Sequence, residues 1–279
     1  MVIAPEPSWK ELAQGIYDER GIVFLLGATD SGKSTLARYL VETLVAGSRP
    51  VALIDSDVGQ TSLGLPGTIS AKLFSKKDDL RDFTFEKLYF IGSINPAEHI
   101  QLMIHGTKRI SDLYHGKADT VIIDSTGLIA GEAGISLKTG KINLVKPDHI
   151  VALQRGDELE PIISLIKDTH VHRIIPSPKV RMRKREERIA YRKKKFEDYF
   201  RGSEKNEFSV AGVEYFHNGR SLSLRYHDFK KGVVLGLNHK EDTMGLGILK
   251  EIADDSVILI SPVRSLKGIN RIVFGTITL

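Results

Sequence analysis

Nine consecutive residues, GATDSGKST at positions 27–35, have the types and order needed to hold a triphosphate. They match G-x-x-x-x-G-K-[ST]: Gly27 and Gly32 allow a tight turn, Ala28, Thr29, Asp30 and Ser31 supply inward-pointing amides, and Lys33 reaches the outer phosphates. Ser34 and Thr35 add hydroxyls, with Ser34 placed to offer an oxygen to Mg²⁺, a hard cation that favours a few oxygen ligands plus phosphate and water. The apolar run 22–26 before the motif reads as a buried strand, and Leu36, Leu40 and Leu44 after it fall at helical spacing. This strand, loop and helix order is the context the motif requires, so a bound nucleoside triphosphate with Mg²⁺ is expected.

Three acids could work beside such a loop. Asp124 ends an apolar run at 120–124 and suits the hydration shell of a metal ion. Asp55 ends another at 51–55, and Asp57 follows two residues later, so in extended chain both would point to one side. Either one could face the γ-phosphate and accept a hydroxyl proton, since a carboxylate near its reference pKa is ionised at neutral pH. Further cations come from residues 179–205, which carry twelve Lys and Arg against five Asp and Glu, leaving the rest of the +5 chain at −2. Within it, Arg188 and Arg192 lie four apart on one helical face and could close over the phosphates as a lid, while residues 193–195 form a lysine triplet suited to a polyanion. Histidines are scattered without metal-ligand spacing.

These groups need a scaffold. Strand-like runs alternate with helical segments through the first two hundred residues, which predicts an α/β fold: a P-loop NTPase with a mostly parallel sheet flanked by helices. Strands are expected at 22–26, 51–55, 86–91, 120–124, 149–153 and 172–175. Helices are expected at 8–19, with Ser8 and Glu11 as a capping box, along the Ile100, Met103, Ile104 and Ile110 face, and at 158–167. The carboxyl ends of parallel strands gather ligand-binding loops, which would bring Gly27, Asp55, Asp57 and Asp124 together. Trp9, the sole tryptophan, either staples the first helix to the core or flanks a nucleobase. Residues 180–200 read as a partly exposed helix with few apolar members. Beyond, short β-type runs at 221–226, 232–237, 256–260 and 271–279 predict a small C-terminal β domain, dividing the chain at 1–203 and 204–279 with a basic lid at about 179–201.

At 279 residues with no cysteine, disulfides, thiolate metal sites and cysteine nucleophiles are excluded. The start of the chain lacks a basic stretch followed by an apolar one, and no apolar run is long enough to cross a bilayer, so a cytoplasmic location without a membrane partner is expected.

GATDSGKST, then DSDVGQTSLGLPGTIS, then DSTGLIAG, then an Arg-rich segment ending KFEDYF together resemble the polynucleotide 5′-hydroxyl-kinase family over roughly residues 20–200. The D-x-D-V-G-Q block is the discriminating part, because phosphate loops occur in many unrelated enzymes. The resemblance implies transfer of the γ-phosphate of ATP to the 5′-hydroxyl end of RNA or DNA. It implies Asp57 as the group that activates the hydroxyl and assists Mg²⁺, Gln60 and Thr126 as polar groups near the reacting phosphates, and Arg188 and Arg192 as lid arginines. It also implies departures. Eukaryotic members carry a β-rich N-terminal domain absent here, and a tryptophan associated with base stacking is replaced by Leu128. Two other readings of the same residues are an ATP-binding scaffold without catalysis and an ATPase switch; a GTPase is disfavoured because no N-K-x-D-type motif occurs.

Overall fold

The computed structural model describes residues 5–209, 212–224, 229–253, 256–265 and 267–279. α1 (Pro7–Glu19) leads into β1 (Gly21–Gly27), α2 (Lys33–Ala46), β2 (Val51–Ser56), β3 (Thr68–Phe74) and β4 (Lys87–Phe90). The expected capping box at Ser8 does not form: Glu6 occupies the N-cap without a side-chain bond, and Pro7, whose fixed φ suits the first turn, starts the helix one residue earlier. α3 (Ile100–Asp112), β5 (Thr120–Ser125), α4 (Gly131–Val145), β6 (His149–Leu153), α5 (Glu160–Ile163) and β7 (His170–Ile174) follow. The helix expected at 158–167 shrinks to α5, since Pro161 belongs in a first turn and Asp168 adopts a left-handed φ of 56°. α6 (Arg185–Tyr199) carries the basic segment and begins five residues later than expected. Residues 180–184 have no regular secondary structure, and Glu187 accepts the Lys184 amide at 2.8 Å to open the helix.

β2, β5, β1, β6 and β7 pair in that order, all parallel. β3 and β4 extend the β2 edge antiparallel, so the sheet is mixed. Alternate residues of the parallel strands enter two cores. Val23, Leu25, Val51, Leu53 and Ile122 pack against α1 and α2, while Phe24, Leu26, Ala52, Ile54 and Ile123 pack against α3, α4 and α5. Burial on both faces is why these strands read as unbroken apolar runs.

The C-terminal strands are β8 (Glu204–Ser209), β9 (Glu214–His217), β10 (Arg220–Ser221), β11 (Val233–His239), β12 (Asp242–Ile252), β13 (Ser256–Ser261) and β14 (Arg271–Thr278). The strand expected at 221–226 is represented by β10 alone, and residues 225–228 lie outside the described residues. These strands pair antiparallel except β9 with β14, surround their own cluster of Leu235, Leu237, Leu259, Ile272 and Phe274, and join the edge of the sheet where β12 meets β4. α6 packs into that junction through Phe196, with Tyr199 and Phe200 beside it. No described helix is long and apolar enough to cross a membrane.

Candidate nucleotide and phosphoryl-transfer site

The parallel strands deliver three loops to one edge: residues 28–32 after β1, residues 57–67 after β2 and residues 126–130 after β5. Gly32 adopts φ 94° as the N-cap of α2, a conformation that turns the loop into the helix without a side-chain penalty. Gly127 lets the third loop press on the first, since a β-carbon there would lie 2.5 Å from the Thr29 amide nitrogen. A cavity of about 660 Å³ opens above them. Thr29, Asp30, Ser31, Gly32, Lys33, Ser34 and Thr35 form its floor, Asp57 and Gln60 one wall, and Val180, Arg181, Arg183 and Tyr191 the other.

The Lys33 ammonium donates to the carbonyls of Gly27 at 2.9 Å and Ala28 at 2.7 Å, within the loop itself. Burial lowers its pKa, opposed by Asp124, Asp57 and Asp30. Beneath the loop, Asp124 is 2% exposed and its Oδ1 has no hydrogen-bond partner. Burial and the neighbouring Asp55 push its carboxyl up to about 7, while Lys33 and the Ser34 hydroxyl pull it down.

Asp55 and Asp57, expected on one side, separate into two roles. β2 ends at Ser56, so strand alternation no longer relates them. Asp55 is wholly buried and organises the second loop: its Oδ2 accepts the Thr61 hydroxyl at 2.9 Å, the Ser62 amide at 2.5 Å and the Leu63 amide at 3.0 Å, and its Oδ1 accepts the Asp57 amide at 3.0 Å. Asp57 is turned to the cavity. Its Oδ1 accepts the Gly59 and Gln60 amides, each at 3.0 Å, and its Oδ2 makes no bond among the described residues. Gln60 donates to the Gly59 carbonyl at 2.8 Å.

The basic segment meets the phosphate loop directly. Arg188 pairs with Asp30 Oδ2 at 2.6 Å, and the Arg183 amide donates to the same oxygen at 3.0 Å. Arg192 stands next to Arg188, which, after burial, lowers its pKa. Neither Arg188 nor Arg192 lines the cavity; Arg181, Arg183 and Tyr191 do, none of which the sequence singled out. Tyr191 donates to the Thr61 carbonyl at 2.9 Å, fastening α6 to the second loop. Thr126 is buried under the site, its hydroxyl accepting the Leu128 amide at 3.3 Å, and Leu128 leans on the main core. Trp9 is 4% exposed, 5.6 Å from the Tyr39 ring, and also borders the cavity, so it both staples α1 and faces the site.

The donor set suits a magnesium nucleotide. Ser34, Asp57 and Asp124 offer hard oxygens, and the unpartnered Asp124 Oδ1 is a buried acceptor lacking a donor. Among the described residues no group of three or more His or acidic side chains converges into a metal cage, so phosphate and water would complete such a coordination sphere.

A family profile described as mRNA cleavage and polyadenylation factor CLP1 P-loop matches residues 27–202. A polyribonucleotide 5′-hydroxyl-kinase of Pyrococcus horikoshii is 33% identical across 91% of this chain and 85% of its own length. Another protein of that name, from Methanocaldococcus jannaschii, is 37% identical across 72% of this chain and 57% of its length. Among solved structures, a wild-type Clp1p–Pcf11p complex contains a chain that superposes with a TM-score of 0.76 over 97% of this one and 78% of itself, at 12% identity, which is likeness of fold.

Proposed function

We propose that this chain, which belongs to the mRNA cleavage and polyadenylation factor CLP1 P-loop family, is a kinase that moves the γ-phosphate of ATP to the 5′-hydroxyl end of a polynucleotide. The observation that carries the reading is the placement of Asp57 in the wall of the same cavity as the phosphate loop, with its Oδ1 clamped by two amides. The loop amides and Lys33 hold the triphosphate. Asp57 accepts the proton of the attacking hydroxyl as the new O–P bond forms and the bond to the β-phosphate oxygen breaks, releasing ADP. Ser34, Asp57 and Asp124 would hold Mg²⁺, which supplies neutralisation of phosphate charge. Arg188, docked on Asp30 of the phosphate loop, and Arg192 beside it would reach the transferring group by a closing movement of α6 and there stabilise developing charge. Gln60 and Thr126 frame the reacting phosphates, the first from the cavity wall and the second from below.

A polynucleotide suits the cavity mouth better than a small alcohol. Arg181 and Arg183 border the opening, and they, with Lys193 and Lys194, are exposed cations able to displace counterions from a phosphate backbone. Incubation with γ-labelled ATP and 5′-hydroxyl RNA and DNA oligonucleotides tests the reading. Label at the 5′ end of RNA is expected; protein that binds ATP yet labels neither RNA nor DNA ends would overturn it.

A further inference from the structure

β2 and β5 end alike, in Asp55-Ser56 and Asp124-Ser125, and the two pairs lie in register across the parallel ladder. Alternation sends the acids towards α2 and the serines towards α4. There α4 presents two lysines three residues apart, Lys138 and Lys141, both 0% exposed. Lys141 donates to Ser56 Oγ at 2.9 Å, and Ser56 donates onward to the Asp124 carbonyl at 3.1 Å, joining the end of β2 to that of β5. Lys138 donates to Ser125 Oγ at 2.7 Å and to the Thr126 carbonyl, and Ser125 donates onward to the Leu25 carbonyl at 2.6 Å, joining the end of β5 to β1.

We propose that Lys138 and Lys141 are positioning residues for phosphoryl transfer, fixing from the α4 face the relative placement of the phosphate loop, the Asp57 loop and the Thr126–Gly127 turn. This rests on the kinase reading above. Burying an amine without a direct salt bridge is costly: Asp57 acts on both lysines, Asp124 on Lys138 and Asp55 on Lys141, yet burial outweighs them, and an apolar side chain of similar length would fill either place without that cost. Both lysines nevertheless stand where three strand ends meet. Burial lowers both pKa values, that of Lys141 to about 7 and that of Lys138 well below its ordinary range. The bonds survive this, because a neutral amine still has two N–H groups and neither lysine needs more for the contacts described.

The test combines Lys138→Met and Lys141→Met with Ser125→Ala and Ser56→Ala. Each lysine substitution is expected to lower kcat on the order of 10²-fold, the effect of a small misplacement of reacting groups, while KM for the nucleotide stays within about twofold. Lys138→Met combined with Ser125→Ala should be no worse than the poorer single variant, because both break one chain of bonds. A kcat within about threefold of the parent, or additive losses in the double variant, would overturn the proposal. If the methionine variants fail to fold, the two serine variants, which keep both amines, are read by the same criteria. A parent that transfers no phosphate speaks against the kinase reading instead. The lysines are then judged by amide hydrogen exchange, where faster exchange confined to residues 57–63 and 126–128 supports them and unchanged exchange refutes them.

Discussion

The central parallel strands of this sheet are buried on both faces, whereas the C-terminal half includes strands that alternate, such as β13, and the two halves differ also in what their loops can do. In the parallel half every carboxyl end points to one edge, so residues distant in sequence, such as Lys33, Asp57 and Asp124, converge. In the C-terminal half, strand direction alternates through β11, β12 and β13, and successive loops leave at opposite edges. That half acts as a buttress. The Leu246 amide donates to the Tyr199 hydroxyl at 2.9 Å, the Phe90 amide donates to Thr243 Oγ1 at 3.0 Å, and Phe196 is buried among Leu88, Phe90 and Leu246. α6 is thus anchored at its C-terminal end by one half and, through Arg188 on Asp30 and Tyr191 on the Thr61 carbonyl, meets two loops of the other.

If the division holds, substitutions in the parallel half should remove transfer and those in the antiparallel half should spare nucleotide affinity. The largest loss is expected for Lys33→Ala, on the order of 10³-fold in transfer together with weaker nucleotide binding, measured by single-turnover assays and nucleotide titration. Asp57→Asn should cost about 10²-fold or more in transfer with nucleotide affinity retained; near-normal transfer would move the base elsewhere. Arg188→Gln should lower kcat about tenfold, less than loss of a fully buried donor, because its side chain is 28% exposed and already shared with Asp30. Phe196→Ala should destabilise the protein by about 3 kcal/mol in denaturant titration while leaving nucleotide affinity unchanged. A matching loss of affinity would break the comparison, placing the buttress inside the site.

The smallest effect is expected at the opposite edge of the parallel strands, where His172 packs 4.2 Å from the His170 ring and Nε2 lies 3.3 Å from His149 Nδ1. Burial, then His170 and His149, lower its pKa from the ordinary 6.5 to about 4. The unfolded chain therefore binds more protons between these values, so stability contributed by neutral His172 is present above about 6.5 and declines as pH falls towards 4. His172→Asn should flatten that part of the stability profile while leaving transfer at neutral pH unchanged.

The phosphate loop was legible because its chemistry is contiguous: strand, glycines, lysine and hydroxyl occupy one stretch of chain. β3 was not, since TISAKLF mixes Ser and Lys into a strand buried at nearly every position, where Lys72 reaches the Asp82 carbonyl at 2.6 Å. α4 escaped for a related reason. Its core-facing positions include Lys138 and Lys141, polar residues that erase the apolar period by which a packed helix is recognised. The same two lysines that hid the helix are those that grip the strand ends.

By itself the sequence determined the nucleotide loop, the alternating strand and helix units, and the concentration of positive charge in one segment, because each is written in neighbouring residues. Only the tertiary structure decided that Asp55 is enclosed while Asp57 meets the cavity, that Arg188 docks on Asp30, and that Lys138 and Lys141 bond the serines at the ends of β5 and β2. Those outcomes depend on where β2 stops, how β2 and β5 align, and which face of α4 meets them. Register and packing between distant segments are set by burial of the whole sheet, and no local run of residues carries that information.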